Sequence, residues 1–167
     1  MGLISRYLEI FQSTTLEQWL ASTGPAQLTL LVVHCVALLL ASYAVVLVDL
    51  RMLGIGLINR SVATVNRETR LWFWLGIGLA ITTEVLLLGA EPLPVATGEA
   101  VNRRWLALLA FLVFAWLVRT PIIGGAIRVH RGPRLGVRIV GLVSLCLWCT
   151  YLIFGRLIFG HVVAPFI

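Results

Sequence analysis

The sequence predicts an all-α fold, a bundle of four transmembrane helices preceded by an interfacial amphipathic helix, with residues 1–167 forming a single membrane domain. Three observations carry that prediction. Of the 167 residues 60% are apolar and 12% charged, and a mean hydropathy of +1.00 describes a chain solvated by lipid. Four apolar runs, about residues 26–48, 71–90, 105–127 and 139–160, each reach the roughly 20 residues that a helix needs to cross about 30 Å of hydrocarbon. The 13 basic residues are all arginine, and most of them fall in the connections between these runs.

Taken in order, residues 1–24 come first. Leu3, Tyr7, Ile10 and Phe11 recur at helical spacing on one side, and Thr14 to Glu17 fits a capping box ahead of Trp19, so this segment is expected to lie along the membrane interface. Arg6 is followed by Glu9 without a clean apolar stretch or a small-residue cleavage site, so no signal peptide is expected here. The first run, Ala26 to Val48, carries no charge before Asp49 but contains His34. A connection of about twenty residues then holds Arg51, Arg60, Arg67 and Arg70, and it leads into Leu71, Trp72, Phe73 and Trp74, an aromatic opening suited to the headgroup level. Glu84 interrupts the second run, and a loop with Pro92, Pro94 and Gly98 breaks the helix after it. The third run begins at Trp105 and meets Arg119, Pro121, Gly124 and Gly125, which predict a kinked or broken helix end. A second basic loop with Arg128, Arg131, Arg134 and Arg138 precedes the fourth run, which contains Cys146, Cys149 and Arg156.

Arginine placement sets the orientation. Connections one and three hold four arginines each, against Arg103 and Arg104 in the second, so the positive-inside rule puts connections one and three in the cytoplasm and both termini on the periplasmic side. The arginines form no basic stripe alternating with aromatics on a soluble face, which argues against nucleic acid as a partner. Lipid and other membrane subunits are the expected partners.

With this orientation His34, Glu84 and Arg156 all fall in the periplasmic half of the membrane, on three different helices. Unpaired charges in hydrocarbon cost at least about 2.5–3.5 kcal/mol, so the three residues are expected to face inward around a polar cluster, with Glu84 and Arg156 as an ion pair. Three readings of His34 stand side by side: a buried histidine hydrogen-bonded inside the bundle, a haem b or metal ligand, and a proton relay or quinone contact with Glu84. A bis-histidine haem would need a second histidine at equal depth, and His161 lies nearer the surface. Cys146 and Cys149 form C-x-x-C, and with Cys35 next to His34 they make a weak candidate for a soft-metal site; buried packing is the simpler role for all three cysteines. At the cytoplasmic boundary Asp49, Arg51 and Arg119 are expected to form ion pairs that anchor the helix ends, with Arg138 as another partner for Asp49. Nothing in the pattern names a catalytic residue.

Trp19-Leu20 with Thr23, the lone His34, Val48-Asp49-Leu50-Arg51 with Leu53-Gly54, then Ser144, Trp148 and Gly155-Arg156, together resemble a family of small bacterial four-helix membrane proteins of unknown function. The resemblance implies a bacterial inner-membrane protein with His34, Asp49, Arg51 and Arg156 as its polar marks, and it brings no activity with it. Because so little of the chain lies outside the membrane, the leading expectation is a non-catalytic accessory or anchoring subunit of a larger membrane complex. The alternatives are a small electron-transfer subunit that binds haem b or quinone near His34, and a small proton or metal-ion conductor.

Overall fold

The computed structural model describes residues 24–56, 59–89, 99–125 and 135–163, except for the side chains at positions 100, 125 and 156–163. In hydrocarbon no water can satisfy a backbone N–H or C=O, so a long apolar segment closes its hydrogen bonds within itself as a helix. Helix α1 runs Gly24–Leu53, α2 Val62–Gly89 and α3 Glu99–Phe114; a π turn, Ala115–Arg119, joins α3 to the short α4, Thr120–Gly125, and α5 runs Leu135–Val163. Four segments are long and apolar enough to cross a membrane, the third being α3, the π turn and α4 end to end, and the protein is a multi-pass, all-α membrane protein. Residues 1–23, where the interfacial helix is expected, lie outside the described residues, as do 90–98 and 126–134.

The first connection is shorter than its composition suggests. Helix α1 ends in a Schellman arrangement: the Ile55 N–H donates to the Leu50 carbonyl at 2.9 Å and the Gly54 N–H to the Arg51 carbonyl at 3.2 Å, with Gly54 at φ 85°. Ser61 then opens α2 by accepting from the Thr64 backbone N–H at 3.1 Å. Arg51 therefore sits on α1, and Arg67 and Arg70 on α2, rather than in a twenty-residue loop.

Packing follows the small residues. Helix α1 lies between α2 and α5, and α5 packs on α3. A Cβ on Gly76 would stand 2.6 Å from the Ala41 nitrogen, so the α1 and α2 backbones touch where both side chains are minimal. Along α5, Gly141 lies against Asp49 and Met52 while the Trp148 indole donates to Ser42 Oγ at 3.1 Å, which makes α1 and α5 antiparallel. Phe73, Phe111, Trp148 and Tyr151 form a chain of ring contacts across α2, α3 and α5, with centroid separations of 6.3, 5.1 and 5.3 Å. Around these rings Ala41, Val45, Ile77 and Leu108 complete a buried apolar layer.

Candidate functional site

Helical periodicity turns one stripe of each segment inward. On α1 the buried positions are His34, Ala37, Ala41, Ala44, Val45, Val48, Asp49 and Met52, recurring every three or four residues with two adjacent pairs, so His34 and Asp49 belong to the same inner stripe 15 residues apart. On α2 the stripe holds Ala80, Thr83 and Glu84, on α3 it holds Val101, Arg104, Leu108 and Phe111, and on α5 Ser144, Trp148 and Tyr151. Two polar clusters result, one on each side of the apolar layer.

The first cluster draws on all four membrane segments. Arg104 Nη2 donates to His34 Nε2 at 3.1 Å, and its Nε stands 3.2 Å from Glu84 Oε1. The Tyr151 hydroxyl donates to Glu84 Oε2 at 3.2 Å, and the Arg104 guanidinium carbon lies 5.0 Å from the centre of the Tyr151 ring. Arg104, His34, Glu84 and Tyr151 are all about 1% exposed. An arginine has only donors, so His34 Nε2 must accept from it and the imidazole proton must sit on Nδ1. The other side agrees: Thr83 spends its hydroxyl proton on the Leu79 carbonyl at 2.8 Å, which leaves its oxygen to accept from His34 Nδ1–H at 2.8 Å. Both ring nitrogens of His34 are thus engaged. Space for the guanidinium comes from α5, where a Cβ on Gly155 would lie 3.0 Å from the Arg104 guanidinium carbon.

The second cluster joins α1, the π turn and α5. Arg119 Nε donates to Asp49 Oδ1 at 3.1 Å, with both side chains buried, and Ser144 lies beside the same carboxylate. Asp49 Oδ2 and Arg119 Nη2 are buried without a hydrogen-bond partner, and at the first cluster Glu84 Oε1 and Arg104 Nε face each other at 3.2 Å outside hydrogen-bond geometry. The π turn positions Arg119: at about 3.6 residues per turn, eight residues of plain α-helix would leave it roughly 80° round from Phe111, and the wider turn takes up the difference. Both arginine contacts span 70 residues, so α1 and α3 run parallel and the clusters lie roughly 22 Å apart along the bundle.

Of the residues singled out from the sequence, His34 and Glu84 meet through Arg104, while the side chain of Arg156, the expected partner of Glu84, lies outside the described residues, as does that of His161. Asp49 pairs with Arg119, and Arg138 is exposed. Arg51 Nε donates to the Arg60 carbonyl at 2.5 Å, and Arg60 pairs with Glu68 at 2.6 Å. Cys35, Cys146 and Cys149 are exposed on outer faces, away from buried His34, and among the described residues no group of three His, Cys, Asp or Glu side chains could hold a metal ion.

Arg104 corrects the loop reading of the Arg103-Arg104 pair. The two side chains diverge because successive residues on a helix point about 100° apart: Arg103 faces out and pairs with Glu99 one turn back at 2.6 Å, and Arg104 faces the core. The signal was present in Val101, Arg104, Leu108 and Phe111, which recur at helical spacing on an otherwise apolar face. Glu84 and Arg104 also stand equally far, five residues, from the helix ends Gly89 and Glu99 that flank the second loop. Tyr151 and Thr83 carried no comparable mark.

A family model described as a family of unknown function (DUF6644) matches residues 23–161, and the chain belongs to that family. No curated protein and no solved structure matches it.

Proposed function

We propose that this member of the DUF6644 family is a non-catalytic accessory or anchoring subunit of a larger membrane complex, held in a bacterial cytoplasmic membrane with both termini periplasmic. One observation supports the reading: the side chains of the first cluster contact one another, His34 with Thr83 and Arg104, and Glu84 with Arg104 and Tyr151, so that they tie four helices together. Haem or metal ligation would require His34 Nε2 to give up the guanidinium it accepts from. A conduction path would have to pass the buried layer of Phe111, Trp148, Ile77 and Val45 between the two clusters. Orientation rests on the exposed arginines. Arg60, Arg67, Arg70 and Arg138 crowd the end where α1 stops and α2 and α5 begin, whereas Arg103 is the exposed one described at the other end once Arg104 is counted as buried.

Purification of the tagged chain from its native membranes in mild detergent tests this. The expected particle is well above the 18.4 kDa of the chain, with other membrane subunits in fixed ratio and no absorption in the Soret region. A Soret band that disappears in His34→Ala would establish the electron-transfer alternative instead. Proton or metal-ion flux into liposomes holding the purified chain alone would establish the conductor.

A further inference from the structure

One outer stripe of α2 has the order of groups that a phospholipid presents. Arg67, Arg70, Trp74 and Gly78 lie at spacings of three, four and four residues, which keeps them on one face of the helix, and all four are exposed. Arg60 is neutralised by Glu68, and Arg103 by Glu99. Arg67 and Arg70 have no ion pair among the described residues, so one helical turn at the membrane boundary carries two uncompensated positive charges. Trp74, 59% exposed, comes about 6 Å deeper than Arg70, and Gly78 about 12 Å deeper. A Cβ on Gly78 would meet nothing within 4 Å, and the Thr82 hydroxyl beside it turns back to donate to the Gly78 carbonyl at 2.9 Å. The result is an apolar notch on the outer face below an aromatic ring and two guanidinium groups.

We infer that this stripe is a binding site for one anionic phospholipid. Arg67 and Arg70 hold the phosphate through charge-assisted hydrogen bonds, for which the guanidinium fork is suited. Trp74 lies at the glycerol level, where indole rings are favoured. The notch at Gly78 receives the first methylenes of an acyl chain. A zwitterionic lipid offers the same phosphate with its charge already balanced by the headgroup cation, and a soluble phosphate lacks the acyl chain. The inference needs only a membrane-embedded chain and stands apart from the accessory-subunit reading.

Native mass spectrometry of the purified, delipidated full chain tests it, with phosphatidylglycerol and phosphatidylcholine of identical acyl chains offered at equal concentration. Two surface arginines favour the anionic lipid by about thirtyfold. Arg67→Gln with Arg70→Gln should abolish that preference, whereas Arg103→Gln should preserve it. Gly78→Leu should weaken retention of phosphatidylglycerol by fillling the notch. Glycerol phosphate, which lacks acyl chains, should fail to displace the lipid. Equal retention of the two lipids, or an anionic preference that survives loss of both arginines, would overturn the site. Undiminished binding to Gly78→Leu, or displacement by glycerol phosphate, would overturn the acyl-chain slot. All substituted positions face outward, and unchanged melting curves in detergent confirm that each variant is folded.

Discussion

Near the end of the bundle where α1 begins, Arg104 is surrounded by a carboxylate, an imidazole and a phenol from three other helices. Near the opposite end Arg119 bonds one oxygen of Asp49, with Ser144 beside the same carboxylate; a second carboxylate oxygen and a guanidinium nitrogen are left without a hydrogen bond there, as Glu84 Oε1 is at the first cluster. The two arginines answer to the same helix α1 at the same separation of 70 residues, so the difference does not come from register. It comes from how many segments contribute polar atoms. A carboxylate has about four acceptor positions and a guanidinium five donors, and one pairing leaves most of them over; at the first cluster a histidine and a tyrosine take up part of the remainder. Burying an ion pair stabilises a fold only when those extra bonds are made. The first cluster is therefore expected to fix the bundle, and the second to tolerate change.

The largest effect should come from Glu84→Gln. It leaves the Arg104 charge unmatched in a dry interior and should cost about 3–5 kcal/mol, read as a lowered melting point in detergent. Adding Arg104→Met should restore most of the loss, because the penalty lies in the charge left behind. If the two single losses simply add in the double variant, the ion pair is not the tie between α2 and α3.

Next comes Gly155→Ala. Its new methyl would push on a guanidinium that Glu84, His34 and Tyr151 hold in place, an overpacking worth about 1–3 kcal/mol. The same substitution made on an Arg104→Met background should cost almost nothing, and an equal cost in both backgrounds would show that α5 and α3 clash elsewhere.

At the opposite end Asp49→Asn removes the charge but keeps an oxygen for Arg119, which sits close enough to the end of its segment to reach toward headgroups. A loss of roughly 1–2 kcal/mol is expected, smaller than for Glu84→Gln. The reverse order in denaturation of the two variants would invert the comparison between the clusters.

Ser144→Ala should change least. The hydroxyl stands beside the Asp49 carboxylate without a well-formed hydrogen bond to it, so its removal should change stability by no more than about 0.5 kcal/mol. A clear loss of stability would mean that the hydroxyl is engaged after all.

The comparison also separates what the sequence made legible from what it concealed. His34 and Glu84 could be read as interior groups because each interrupts an apolar run, and hydrocarbon penalises any other placement. The helices were legible for the same reason. Arg104 was concealed by its neighbour: two adjacent arginines beside a Pro-containing loop look like one solvated pair, and only the 100° turn between successive helical residues separates them. Asp49 and Arg119 sit near segment ends, where a charge usually reaches water, yet both are buried because the π turn points Arg119 inward. AWLVR does not itself announce a π turn, although Pro121 just beyond it marks this part of the segment as irregular. Tyr151 reads in sequence as one more apolar-run aromatic, and its role depends wholly on which helix stands opposite.

The π turn also bears on how the chain can change in length. Seven residues of plain α-helix, like seven with the extra one absorbed in the π turn, would return an arginine to the face of Phe111 at about −20°. Removing one residue from positions 115–118 should accordingly straighten the segment and leave the arginine aimed at Asp49, whereas a deletion between Arg104 and Phe111 would rotate everything beyond it off the face that joins α5. Residues 115–118 are the slack in an otherwise taut segment, the stretch that can lose a residue while both arginines stay in phase with α1.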